Sequence, residues 1–141
     1  TIINLKKPFA MISWEKTDLF GIIDDNGYIL GYSKDNVLPT VTTDSDPKNI
    51  SEKLDNNLYV SAGILVKLFE LYSLKTASYK EGVLRADIPY QGKEVKVIFP
   101  HTGEADAIIS SLQLILSQST INKLGHPITQ IDLRFKNPVI N

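Results

Sequence analysis

His101 and His126 are the residues best suited to acid–base or metal chemistry, and neither has the neighbours such chemistry needs. Each sits beside a proline at the expected end of a helix, with no His-x-x-x-His spacing nearby. The chain has no cysteine, which removes a thiol nucleophile, a thiolate metal site and a disulfide framework. It has no Gly-x-Ser-x-Gly elbow to expose a serine, and its serines cluster in loops and on one helix. Asp24 and Asp25 could be paired carboxylates, but they precede Asn26-Gly27, where turn formation accounts for both. Glu104 and Asp106 could flank a cleft beside His101, yet they stand where a helix begins and its dipole favours negative charge. Gly103 and Gly125 are isolated and form no phosphate-binding loop. Asn49-Ile50-Ser51 fits the glycosylation acceptor pattern, which is short enough to recur by chance. A small hydrolase using His101 with Asp106 or Glu104 would lack a nucleophile or a metal. The expectation is a protein that is not an enzyme, with no catalytic residues, metal site or cofactor.

The stretch from Ile128 to Ile140 points instead to binding. Ile131, Leu133 and Phe135 alternate with Asp132, Arg134 and Lys136, the period of a strand with one face on a core. Pro138 has no N–H for a ladder, so it belongs at an edge or a strand end, and the apolar Val139 and Ile140 follow it. An edge strand with apolar residues to spare is a docking site or an aggregation liability. The charged row of Asp132, Arg134 and Lys136 admits two readings. The commoner is a solvated strand face with an Asp132–Arg134 pair. The functional one is a charged row that steers a partner onto the edge.

At 141 residues the chain suits one domain with a real core. A net charge of -1 gives no reason to expect nucleic acid or an anionic membrane surface as the main partner. No apolar run is long enough to span a bilayer, since the longest window, Leu58 to Leu74, is broken by Ser61, Lys67 and Glu70. The chain begins at Thr1, directly in an apolar run, and reads as a domain from a longer protein whose targeting signals would lie upstream.

The elements that would hold the C-terminal strand follow from periodicity. Ile2–Leu5 reads as a short strand ended by Pro8, and Phe9–Trp14 as a second apolar run. Leu19–Asp24 and Tyr28–Tyr32 flank Asn26-Gly27, which predicts a hairpin with a type I′ turn and both central residues at positive φ. Residues 33–57 are polar and turn-rich, so a long surface connection is expected, pinned by Leu38 and Val41 and with room for a helical turn. Leu58–Tyr72 is helical, its stripe formed by Val60, Ile64, Leu68 and Leu71 and widened by Leu65 and Tyr72.

A meander follows. Thr76–Tyr79 leads through Lys80-Glu81-Gly82 to Val83–Ile88, and Gln91-Gly92-Lys93 turns the chain into Glu94–Phe99. Leu84, Ala86, Ile88, Val95, Val97 and Phe99 face inward, whereas Ile98 falls on the polar side. After Pro100, Thr102 is placed to cap a second helix buried along Ile108, Ile109, Leu112, Ile115 and Leu116. That helix can run to Leu124, where Gly125 and Pro127 stop it. The expected fold is α+β, a largely antiparallel sheet with two amphipathic helices on one face and a C-terminal edge strand.

Ordered across the chain are passages that resemble a known family. Ile2-Ile3-Asn4-Leu5-Lys6-Lys7-Pro8-Phe9-Ala10 is similar to the passage where a POTRA domain hands over to a β domain. Gly21-Ile22-Ile23-Asp24, Asn26-Gly27 and Leu30 resemble the hairpin that follows, and Leu38-Pro39 the pair after it. Ile131-Asp132-Leu133-Arg134-Phe135 matches a strand near the family's C-terminus. Together they resemble the bacterial cell-division family FtsQ, also called DivIB, over almost the whole chain. The pattern is broken at Val97-Ile98-Phe99-Pro100, where many relatives carry a glycine, and at Pro138.

The resemblance implies that residues 1–7 end a POTRA domain and 8–141 form the extracytoplasmic β domain of a single-pass membrane protein. It implies a non-enzymatic scaffold at the septal face of the cell membrane that helps control septal peptidoglycan synthesis. Its partners would be the bitopic proteins FtsB and FtsL, with a segment of FtsB adding as a strand to the last strand. Carried onto this chain, the partner-binding residues are Arg134, Phe135, Lys136, Asn137, Val139 and Ile140. The alternative expectation is an envelope or surface adhesion module that recognises a peptide or glycan through the same edge.

Overall fold

Asp24 decides how the first hairpin turns. The computed structural model describes residues 7–100, 104–121, 129–134 and 139–140, and here the Asp24 side chain is fully buried. Its Oδ1 accepts the backbone N–H groups of Asn26 and Tyr28, each at 2.9 Å. The Gly27 N–H donates to the Asp24 carbonyl at 3.1 Å. These bonds hold Asn26 out of the left-handed region, and only Gly27 enters it, at φ 86°. The expected type I′ turn is therefore replaced by a right-handed turn closed by a left-handed glycine, with a register shift between Ile22 and Ile23.

The primed turns occur further on. Glu81 and Gly82 (φ 54° and 74°) and Gln91 and Gly92 (φ 52° and 76°) make the two-residue loops of the meander. Asparagine tolerates positive φ better than glutamine. Gln91→Asn is accordingly expected to stabilise the domain by about 0.5 kcal/mol, read as a higher urea midpoint at unchanged slope.

The strands are β1 (Ala10–Trp14), β2 (Phe20–Ile23), β3 (Ile29–Ser33), β4 (Thr40–Thr43), β5 (Thr76–Lys80), β6 (Val83–Tyr90), β7 (Lys93–Phe99), β8 (Gln130–Asp132) and β9 (Val139–Ile140). The helices are α1 (Asn56–Tyr72) and α2 (Ala105–Ile121). One nine-stranded sheet contains every described strand, in the order β3-β2-β1-β4-β5-β6-β7-β8-β9. Five pairings are antiparallel and three parallel, so the fold is α+β with a mostly antiparallel sheet.

Two of the three parallel pairings come from β4, a strand inside the stretch expected to be surface connection. Thr40-Val41-Thr42-Thr43 lies parallel to both β1 and β5. Parallel neighbours need a long crossover, and α1 supplies it between β4 and β5 as α2 does between β7 and β8. Val41, Thr40 and Thr43 are buried. Thr40 Oγ1 donates to the Leu38 carbonyl at 2.9 Å, and the hydroxyls of Thr43 and Ser45 meet at 3.0 Å, so both buried threonines are satisfied.

Both helices lie on one face. Ile12, Trp14, Val41, Leu84, Ile88, Val97, Phe99 and Ile131 pack there with Leu58, Leu65 and Leu68 of α1 and Ile108, Ile109, Leu112 and Leu116 of α2. The buried stripe of α1 is Leu58, Ser61, Ala62, Ile64, Leu65 and Leu68, so the expected Ile64, Leu65 and Leu68 hold while the stripe begins at Leu58 and Ser61 instead of Val60. Ser61 concealed it: its hydroxyl bonds to the Asn57 carbonyl at 2.8 Å, which allows a polar residue to be buried. Leu71 is left 47% exposed.

Candidate functional site

The C-terminal end of the sheet is built from a short strand and a turn, and the expected single strand over 128–140 is not formed. Ile131 and Leu133 are buried on the helix side, as their parity required. The Lys96 N–H donates to the Thr129 carbonyl at 3.0 Å and the Leu133 N–H to the Ile98 carbonyl at 2.8 Å. Beyond Asp132 the ladder stops, because Asp132 turns its side chain on its own backbone. The Asp132 Oδ1 accepts the Arg134 N–H at 3.0 Å.

The Arg134 guanidinium completes the closure as a fork, with Nε at 3.0 Å from Oδ1 and Nη2 at 2.7 Å from Oδ2. The expected Asp132–Arg134 pair therefore forms, but with the Asp132 side chain only 10% exposed under this cover and not solvated, while Arg134 is 40% exposed. The chain then returns as β9, antiparallel to β8, with Ile140 opposite Ile131 and Val139 opposite Asp132.

Which backbone groups face outward follows from the ladder. In β8 the Thr129 carbonyl and the Leu133 N–H point to β7, so the alternate residue Asp132 points its N–H and C=O to β9. Its partner Val139 points back at it. The N–H and C=O of Ile140 therefore face away from the sheet, where no described strand meets them. The opposite edge differs. Along β3 the Ile29 N–H donates to the Glu52 carbonyl at 2.9 Å and the Ser51 N–H to the Ile29 carbonyl at 2.8 Å, so an adjacent segment covers its start.

Among the expected partner-binding residues, Val139 and Ile140 form the outermost strand. Arg134 stands at the turn with its guanidinium engaged by Asp132. Phe135, Lys136 and Asn137 lie outside the described residues, as do His101, His126, Thr102 and Pro138. Asp106, weighed as a member of an acid pair, sits in the first turn of α2 and meets Lys67 Nζ at 3.4 Å. Among the described residues no group of three His, Asp or Glu side chains could hold a metal ion, and no helix is long and apolar enough to cross a membrane. The positioning role of Asp132 was missed in the sequence, although Asp-x-Arg at the end of an apolar alternation is its signal.

The Arg134 guanidinium and N–H hold the Asp132 carboxyl below the ordinary value of 3.8, more than its burial raises it. A depressed folded-state value means that the stabilisation is complete above the unfolded value and is lost as pH falls through the folded one. Asp132→Asn should thus be less stable than wild type near neutrality, the difference shrinking below the usual carboxylate range. Urea midpoints at about pH 6 and about pH 2 would measure it.

No protein-family model matches the chain, and no curated protein matches it. The fold and the edge are the grounds for a functional reading.

Proposed function

We propose that the chain is a non-enzymatic scaffold module of the FtsQ/DivIB type that captures an extended segment of a bitopic FtsB- or FtsL-like division protein at β9. The observation that carries this reading is the outer position of β9, with the N–H and C=O of Ile140 directed away from the sheet. Main-chain bonds along such an edge supply affinity, and the side chains beside it supply selectivity. The family resemblance adds its partners and its place, the extracytoplasmic face of the cell membrane at the septum. Of the passages that carry the resemblance, Gly21 to Gly27 falls on β2 and its turn, Leu30 on β3, Leu38-Pro39 on the entry to β4 and Ile131-Asp132 on β8, whereas residues 2–6 and Phe135 lie outside the described residues. An interface this small is modest in affinity by itself. Anchoring both proteins in one membrane would raise their effective concentration.

The test is a titration with the extracytoplasmic segment of an FtsB-like protein, using wild type and an Arg134→Glu, Val139→Asp double variant whose folding is checked by circular dichroism. Saturable binding lost in the folded variant supports the reading. Equal binding of unrelated extended peptides would favour a general peptide- or glycan-recognising adhesion module, and binding unchanged in the variant would remove the site from this edge.

A further inference from the structure

The helix-free face of the sheet is hollowed into a trough of about 730 Å³, within the range of small-ligand sites. Register sets its floor. Thr42, Ser78, Arg85 and Ile98 are successive cross-strand partners from β4 to β7. One step along, Asp87 opposes Lys96, and Glu94 lies beyond, opposite Pro89. The floor is therefore hydroxyl-bearing and charged around Ile98, which is 9% exposed and which the sequence pattern had placed on the polar side, with Leu74 at its margin.

The two acids are gathered at one end and the guanidinium at the other, with Lys96 beside the acids. Arg85 lies toward the β5–β6 turn, whereas Asp87 and Glu94 lie toward the β6–β7 turn. Lys80, at the Arg85 end, is paired with Glu15. Arg85, Asp87, Glu94 and Lys96 have no ion pair among the described residues, although Asp87 and Lys96 are direct cross-strand partners. Opposite charges facing each other across a strand pair would ordinarily close on one another. A polyanion is disfavoured by the two carboxylates and a polycation by Arg85 and Lys96. A ligand with an anionic and a cationic end matches both.

We propose that this trough binds a short peptide with free termini, its carboxylate on Arg85 and its ammonium group on Glu94 and Asp87. The guanidinium presents the fork that a carboxylate accepts in two bonds. Along β7, Glu94 is four residues from the partner of Arg85, about 14 Å, which an extended tetrapeptide spans. Between the ends, Lys96 and the hydroxyls of Ser78 and Thr42 are donors for peptide carbonyls, and Ile98 offers contact for one apolar side chain. The trough is formed by β4 to β8, not by β9, so this inference stands apart from the edge reading.

An NMR titration of the isotope-labelled domain tests it, with tetra-alanine as the probe and its N-acetylated, C-amidated form as the comparison. Tetra-alanine is expected to shift the backbone amides of Ser78, Arg85, Lys96 and Ile98, and the capped peptide to bind about tenfold more weakly. Arg85→Gln should weaken tetra-alanine by a similar factor with unfolding unchanged, and Glu94→Gln, at an exposed position, provides a second variant. No shifts up to about 10 mM peptide, equal binding of the capped form, or full binding by both folded variants would overturn the proposal.

Discussion

Gly21→Ala is expected to destabilise the domain by about 3 kcal/mol. A Cβ built on Gly21 would stand 2.3 Å from Cζ3 and 2.5 Å from Cη2 of Trp14. Trp14 is fully buried, and its indole lies against the ring of Tyr32 at a centroid distance of 5.8 Å. A rigid indole has no flexible end to yield, so either it or the β1–β2 pair must move. For a chain of this size the loss corresponds to a melting temperature lower by about 10 °C. Gly31 on the next strand is the control: no atom lies within 4 Å of its added Cβ. Gly31→Ala should leave stability within about 1 kcal/mol of wild type. Trp14 is the only tryptophan, so near-UV circular dichroism reports its displacement directly. A Gly21→Ala protein melting with the wild type would refute this packing of the first hairpin.

The second large effect falls on binding. Ile140→Pro is expected to weaken capture of an extended partner about tenfold, while the domain keeps its stability. Proline removes an N–H that faces outward at Ile140 and places its ring where the partner strand would lie. Val139→Pro makes the contrast, since the Val139 N–H belongs to the ladder with Asp132 and its loss would loosen β9 itself. Titration calorimetry with the partner segment and urea unfolding of both variants separate the two outcomes. Equal affinity for Ile140→Pro and wild type would show that main-chain pairing at β9 contributes nothing.

How much of this was legible in the sequence depended on whether one short-range signal controlled the outcome. The meander was legible because Leu84, Ala86, Ile88, Val95 and Val97 alternate cleanly and Gly82 and Gly92 mark its turns. The two helices were legible from their apolar spacing, although Ser61 hid the exact face of α1. Strand β4 was not, because Thr40-Val41-Thr42-Thr43 has no apolar alternation, and its placement between β1 and β5 is a long-range event. Its run of β-branched residues after Pro39 was the available clue.

The turn at Asn26-Gly27 was misjudged in type because the buried Asp24 carboxylate competes for the same backbone N–H groups. At the candidate site, alternation correctly buried Ile131 and Leu133 but carried the strand past Asp132. A carboxylate that binds the N–H two residues later ends a ladder, and a period-two pattern contains no sign of that.

Backbone hydrogen exchange at Ile140, with and without the extracytoplasmic segment of an FtsB-like protein, tests the central claim most directly. In the free domain the Val139 amide should already be protected by its bond within the sheet, and the Ile140 amide should exchange quickly. Saturating partner should slow exchange at Ile140 while changing Val139 far less. Unchanged exchange at Ile140 under saturating partner would contradict strand addition at this edge.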